Sequence, residues 1–141
     1  MKISTKGRYA VTALFDLAKN YESGRPVSAS EISERQGISF DYLEQLFSRL
    51  RRSGLIKSVR GPKGGYVLAK SPSKIKIGDI VRVSEGPIAL VDCLISKDQC
   101  VKSGCCATKG VWKLLTDKVT EVLDSLTLAD LLIKTRRVQH G

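Results

Sequence analysis

Residues 28–69 constrain the fold most, because they set two helix starts, a tight turn and a hairpin in unbroken order. Ser28 followed by Glu31 is a capping box, in which the serine hydroxyl takes the third helical amide and the glutamate returns to the serine amide. A short helix to about Gln36 is predicted, and Gly37 suits the left-handed residue that closes it. Ser39 then caps a helix through about Ser53, with Tyr42, Leu43, Leu46, Phe47 and Leu50 on its apolar face and Gly54 as its stop. Two helices about a glycine-containing turn form a helix-turn-helix. Residues 55–60 read as a strand, Gly61-Pro62-Lys63-Gly64-Gly65 as a turn and residues 66–69 as the returning strand. A hairpin directly after a recognition helix is a wing, and its tip presents Arg60 and Lys63. The expected fold class is mainly α with a small β-hairpin wing.

The flanks read as helices. Tyr9, Ala10, Ala13, Leu14, Leu17 and Ala18 recur at helical spacing over residues 7–20, and Gly24-Arg25-Pro26 breaks the run. Residues 77–84 form a short helix, and residues 92–110 lack periodicity and read as a loop. A long helix follows over residues 107–125, with Val111, Leu115, Val119, Val122 and Leu126 in one stripe widened by Trp112, Leu114 and Leu123. It falls outside the winged domain, so the same helix of a second copy is its expected cover. Thr127 with Asp130 caps a last helix over residues 128–134, after which Arg136 and Arg137 are expected to fray. The expected organisation is a winged helix-turn-helix domain for DNA binding (1–85), a linker and cysteine-rich loop (86–106), a dimerisation helix with a C-terminal helix (107–135) and a tail (136–141).

Charge narrows the partner. The 141 residues carry 24 Lys+Arg against 14 Asp+Glu, a net charge of +10. Residues 1–90 hold 16 − 8 = +8 of it and residues 91–141 hold 8 − 6 = +2. Arg49, Arg51, Arg52, Lys57, Arg60 and Lys63 follow one another with no carboxylate between them. Such a run fits a phosphate-facing surface, nucleic acid ahead of an anionic membrane. No apolar stretch is long enough to span a bilayer and none follows the N-terminus as in a signal peptide, so a cytoplasmic location is expected.

Cys93, Cys100, Cys105 and Cys106 crowd into one short segment, where metal binding or redox chemistry is the expected use. Paired spacings that favour zinc are absent, and a metal-free thiol redox sensor is the other reading. No Cys-x-x-Cys, histidine beside a cysteine or phosphate-binding glycine loop is present, which argues against an enzyme.

Several motifs together resemble the Rrf2 family of bacterial winged-helix repressors. They are Lys6-Gly7-Arg8-Tyr9-Ala10, Ile32 to Ser39 across the turn, Tyr42-Leu43-Glu44-Gln45-Leu46-Phe47, Val59-Arg60-Gly61-Pro62 with Gly64-Gly65-Tyr66, Gly78-Asp79-Ile80-Val81, Glu85-Gly86-Pro87-Ile88, Trp112, and Thr127 to Leu131. The resemblance implies homodimers paired through the long C-terminal helix on pseudo-palindromic promoter DNA. It places base reading on Asp41, Glu44 and Gln45, and a minor-groove arginine at Arg60, while the charge run itself puts Arg49, Arg51, Arg52 and Lys63 on phosphates. Asp41 departs from the IscR-like pattern, which has a small hydroxyl residue there.

The same resemblance implies an iron–sulfur cluster, 2Fe-2S with 4Fe-4S as the alternative, on Cys93, Cys100 and Cys106. The interval from Cys93 to Cys100 is one residue longer than in that pattern. Lys109 stands where IscR-like chains have a ligating histidine, and Arg8 where NsrR-like chains have an aspartate. The fourth ligand therefore stays open among Cys105, Asp92, Asp98 and an exogenous group. A CymR-like regulator acting with a partner enzyme of cysteine synthesis is the alternative function.

Overall fold

In the computed structural model, residues 3–90 and 108–140 are described, with side chains to residue 134. Helix α1 spans Thr5–Lys19, α2 Ala29–Gln36 and α3 Phe40–Arg52; strands β1 (Ile56–Val59) and β2 (Gly65–Leu68) follow. A single 3₁₀ turn over Pro72–Lys74 leads to α4 (Ile77–Glu85), α5 (Lys109–Ser125) and α6 (Leu128–His140). The mainly helical architecture with one antiparallel hairpin is the winged-helix fold class expected from the sequence.

The core lies where α1, α3, α4 and the hairpin meet. Leu14, Ile32, Leu43, Phe47, Leu50, Ile56, Ile75 and Ile80 are all fully buried in it. Leu128 belongs to the same cluster, so the start of α6 is part of the winged domain's own core. Backbone bonds pin it there: the Ile77 amide donates to the Leu126 carbonyl at 2.8 Å and the Leu128 amide to the Ile75 carbonyl at 3.1 Å. The local pattern around Thr127 and Asp130 held the cap but not this long-range closure. Helix α6 also runs on to His140 rather than fraying before Arg136. Nothing between Lys134 and Gly141 breaks a helix, since arginine, valine and glutamine all tolerate one.

Helix α1 begins at Thr5, two residues before the expected start, for a reason 80 positions away. Ser4 caps it, accepting from the Lys6 amide at 3.2 Å. The Glu85 carboxylate, at the end of α4, accepts from the Gly7 amide at 2.8 Å, the Ser4 amide at 3.2 Å and the Ser4 hydroxyl. A carboxylate on otherwise orphaned N-terminal amides also meets the positive end of the helix dipole. Burial pushes the Glu85 carboxyl up, but the bonds from Ser4 and Gly7 and the nearby Lys6 charge outweigh it and hold the pKa below its ordinary 4.5.

Helix α5 is joined to α4 by a fork. Arg82 Nη1 and Nη2 donate to the two Asp124 oxygens at 2.9 and 2.7 Å. These bonds hold the Asp124 carboxyl below its ordinary value. Gly78 makes the approach feasible, since a Cβ there would lie 2.0 Å from Asp124 Oδ1. Along the rest of α5, Val111, Trp112, Leu114, Leu115 and Val122 stay exposed.

Glu85 and Asp124 give stability a sign in pH. Both are depressed in the folded state, so the unfolded chain binds more protons, and their contribution is complete above about pH 4.5 and lost as pH falls further. Urea midpoints measured from pH 7 to pH 3 should fall below that point, and less steeply in Glu85→Gln. An equal slope in the variant would remove Glu85 from the explanation.

Candidate nucleic-acid interface

Helix α2 is fixed at both ends. Its capping box is complete: the Glu31 amide donates to Ser28 Oγ and the Ser28 amide to Glu31 Oε2, each at 3.1 Å. Gly37 sits at φ +68° as the left-handed cap, and the Ser33 hydroxyl donates to the Ile38 carbonyl across the turn at 2.6 Å. Behind it, Asp16 of α1 is only 1% exposed. It accepts from Arg35 Nη2 at 2.6 Å, Arg35 Nε at 3.2 Å and Gln36 Nε2 at 3.2 Å. Three charge-assisted bonds so tie the end of α2 to α1. Asp16 sits inside an apolar helix stripe, a signal that could have marked it in the sequence.

Helix α3 presents an exposed polar face. Leu43, Leu46, Phe47 and Leu50 are buried, while Asp41, Glu44, Gln45, Arg49, Arg51 and Arg52 are exposed. At about 100° per residue, Asp41, Gln45 and Arg52 lie along the crest, with Glu44 and Arg51 on one shoulder and Arg49 on the other. Asp41 is in the first turn, where the helix dipole favours a carboxylate, and the three arginines fall in the last turn, where it favours cations.

The wing is docked against this helix. Strands β1 and β2 pair from Ile56↔Leu68 to Val59↔Gly65. Val27, ahead of α2, adds a third rung: its amide donates to the Tyr66 carbonyl at 3.0 Å and the Tyr66 amide returns to the Val27 carbonyl at 2.8 Å. Two glycines allow close backbone approaches here, one to Val27 and one within the turn. A Cβ on Gly65 would lie 2.5 Å from Val27 backbone, and one on Gly64 2.1 Å from the Val59 carbonyl oxygen. The Tyr66 ring packs on Phe47 at 4.5 Å between centroids. Burial raises the Tyr66 pKa, Glu44 adds to this and Arg51 opposes it, so the ring sits among groups of α3.

Arg60 and Lys63 are exposed beyond the strands. Among the described residues, none of Arg49, Arg51, Arg52, Lys57, Arg60 and Lys63 is ion-paired, whereas Arg25, Arg35 and Arg82 are. Six cations without an ion pair thus lie on α3 and the wing, with no carboxylate between them in sequence. Every residue singled out for DNA is thus exposed on one of these two elements. Cys93, Cys100, Cys105 and Cys106, with Asp92 and Asp98, lie outside the described residues. Lys109 opens α5, and Arg8 is exposed on α1. Among the described residues no group of three or more His, Cys, Asp or Glu side chains gathers to hold a metal, and no helix is long and apolar enough to cross a membrane.

The sequence profile of the Rrf2 family, described as an iron-dependent transcriptional regulator, matches residues 3–134. The chain belongs to the Rrf2 family. Among Rrf2-type relatives, the HTH-type transcriptional regulator IscR of Escherichia coli is 47% identical over 132 residues, 94% of this chain and 80% of its own length. The structure of T. potens IscR matches with a TM-score of 0.79 at 47% identity, covering 99% of this chain and 91% of that one. CymR, the global cysteine regulator of B. subtilis, matches with a TM-score of 0.81 at 46% identity, covering 93% and 95%. The protein is an IscR-like Rrf2 transcriptional regulator, with CymR among its structural neighbours.

Proposed function

We propose that this chain is a dimeric repressor that binds pseudo-palindromic promoter DNA and whose affinity is controlled by an iron–sulfur cluster. The observation that carries the DNA reading is the surface of unpaired cations around the exposed face of α3 and the wing. Residues 1–85 grip DNA, residues 86–106 carry the cluster ligands and α5 pairs two copies through its exposed Val111, Trp112, Leu114, Leu115 and Val122. In the major groove Glu44 accepts from cytosine N4 and Gln45 reads adenine, with Asp41 beside them. Arg60 enters the minor groove, and Arg49, Arg51, Arg52 and Lys63 neutralise phosphates.

The cluster reading rests on donor chemistry. Thiolates are the ligands iron–sulfur clusters need, and Cys93, Cys100 and Cys106 supply three. The fourth position falls to Cys105, Asp92, Asp98 or an exogenous group, and the type is 2Fe-2S with 4Fe-4S as the alternative. When bound, the cluster supplies a redox- and supply-sensitive group whose presence shifts the population competent for DNA, which requires a coupling of roughly 1–3 kcal/mol. A partner enzyme of cysteine synthesis finds no support among the relatives described.

Two measurements test this. Anaerobically purified protein should absorb in the visible, and Cys93→Ala or Cys106→Ala should abolish the band; colourless wild-type protein after iron and sulfide reconstitution removes the cluster. In competition binding, Glu44→Ala should relax preference at one position per half-site by about 1–3 kcal/mol, while Arg60→Ala weakens binding with partial loss of A·T preference. Equal loss on every sequence for both variants would overturn these two roles.

A further inference from the structure

The apolar residues of α3 are buried or half-buried with a single exception. Phe40, the first residue of the helix, is 46% exposed, although Leu43, Leu46, Phe47 and Leu50 are all buried. It follows the cap residue Ser39 directly and lies one turn before Glu44 in the same helix row. Its ring takes part in neither aromatic stack of the described residues, which are Tyr9 with Tyr42 and Phe47 with Tyr66. A recognition helix offers base edges its N-terminal residues first. An apolar ring held there meets one apolar feature in the major groove, the thymine 5-methyl group.

From this placement we infer that Phe40 is a specificity-determining residue that packs on a thymine methyl in each half-site, next to the base read by Glu44. The inference rests on the major-groove reading of α3 given above. Its chemistry differs from that of the polar readers. Glu44 and Gln45 discriminate by hydrogen bonds, whereas Phe40 discriminates by taking a methyl group out of water. The expected contribution is about fourfold per thymine, which is the transfer free energy of one carbon group expressed as a ratio of affinities.

The test uses full-length protein and a duplex selected by it from random sequence, with each thymine replaced in turn by deoxyuridine, which lacks only the methyl. Wild-type protein should lose about fourfold in affinity at one thymine per half-site, and Phe40→Ala should show no loss at that position. Because Phe40 is exposed, the variant should keep the wild-type unfolding midpoint, which is checked in parallel. Methyl effects that are the same in both proteins, with sequence preference intact, overturn this inference alone. Absence of any sequence preference in the wild type overturns it together with the groove reading beneath it.

Discussion

Raising monovalent salt from about 50 mM to 200 mM should lower the affinity of this protein for its duplex by about 10³–10⁵. The size follows from counting exposed charges that carry no ion pair. Arg49, Arg51, Arg52, Arg60 and Lys63 are exposed and lack ion pairs among the described residues, so the dimer proposed above would bring about ten cations to the phosphates. Each neutralised phosphate releases condensed counterions, and log affinity falls against log salt with a slope of about −0.9 per contact. Fluorescence anisotropy across a salt series measures the slope directly. Arg51→Ala should reduce it by about one unit per contact removed, with sequence preference little changed. A slope near zero would mean that the cationic surface is a solvated face and nothing more.

Phe47→Ala should cost about 3–5 kcal/mol, a large share of a typical domain stability of about 5–15 kcal/mol. The ring is fully buried in the core. It also carries the Tyr66 ring at 4.5 Å, so truncation removes the floor of the wing as well as the filling of the domain. The cavity cannot be closed by a small shift, because Tyr66 is held by two backbone bonds to Val27. Urea unfolding measures the loss, and Tyr66→Phe is the control that keeps both rings. A Phe47→Ala variant within about 1 kcal/mol of wild type would show that α3 and the wing are not braced through this contact.

Local interactions explain what could be read from the chain. Ser28 with Glu31, the left-handed Gly37, Ser39 and the Gly61 to Gly65 turn each satisfy backbone groups within five residues, so their chemistry is visible in sequence order. The exposed positions of α3 followed from helical periodicity in the same way. What escaped was closed over distance. Glu85 reaches Ser4 and Gly7, Asp16 reaches Arg35, Val27 pairs with Tyr66, and Leu128 enters a core that starts with Ala10 in α1. No periodicity announces such pairs. Phe40 escaped for a different reason, since an apolar residue beside an apolar stripe is indistinguishable from core until its exposure is measured.

The fork between Arg82 and Asp124, set against the bare backbone of Gly78, ties α4 to α5 at close range. In the dimer proposed above, the separation of the two wings would be set by the angle at which α5 leaves α4. An operator whose halves stand a base pair nearer or farther would have to twist itself to fit, so tolerance for irregular spacing becomes an elastic property of the DNA.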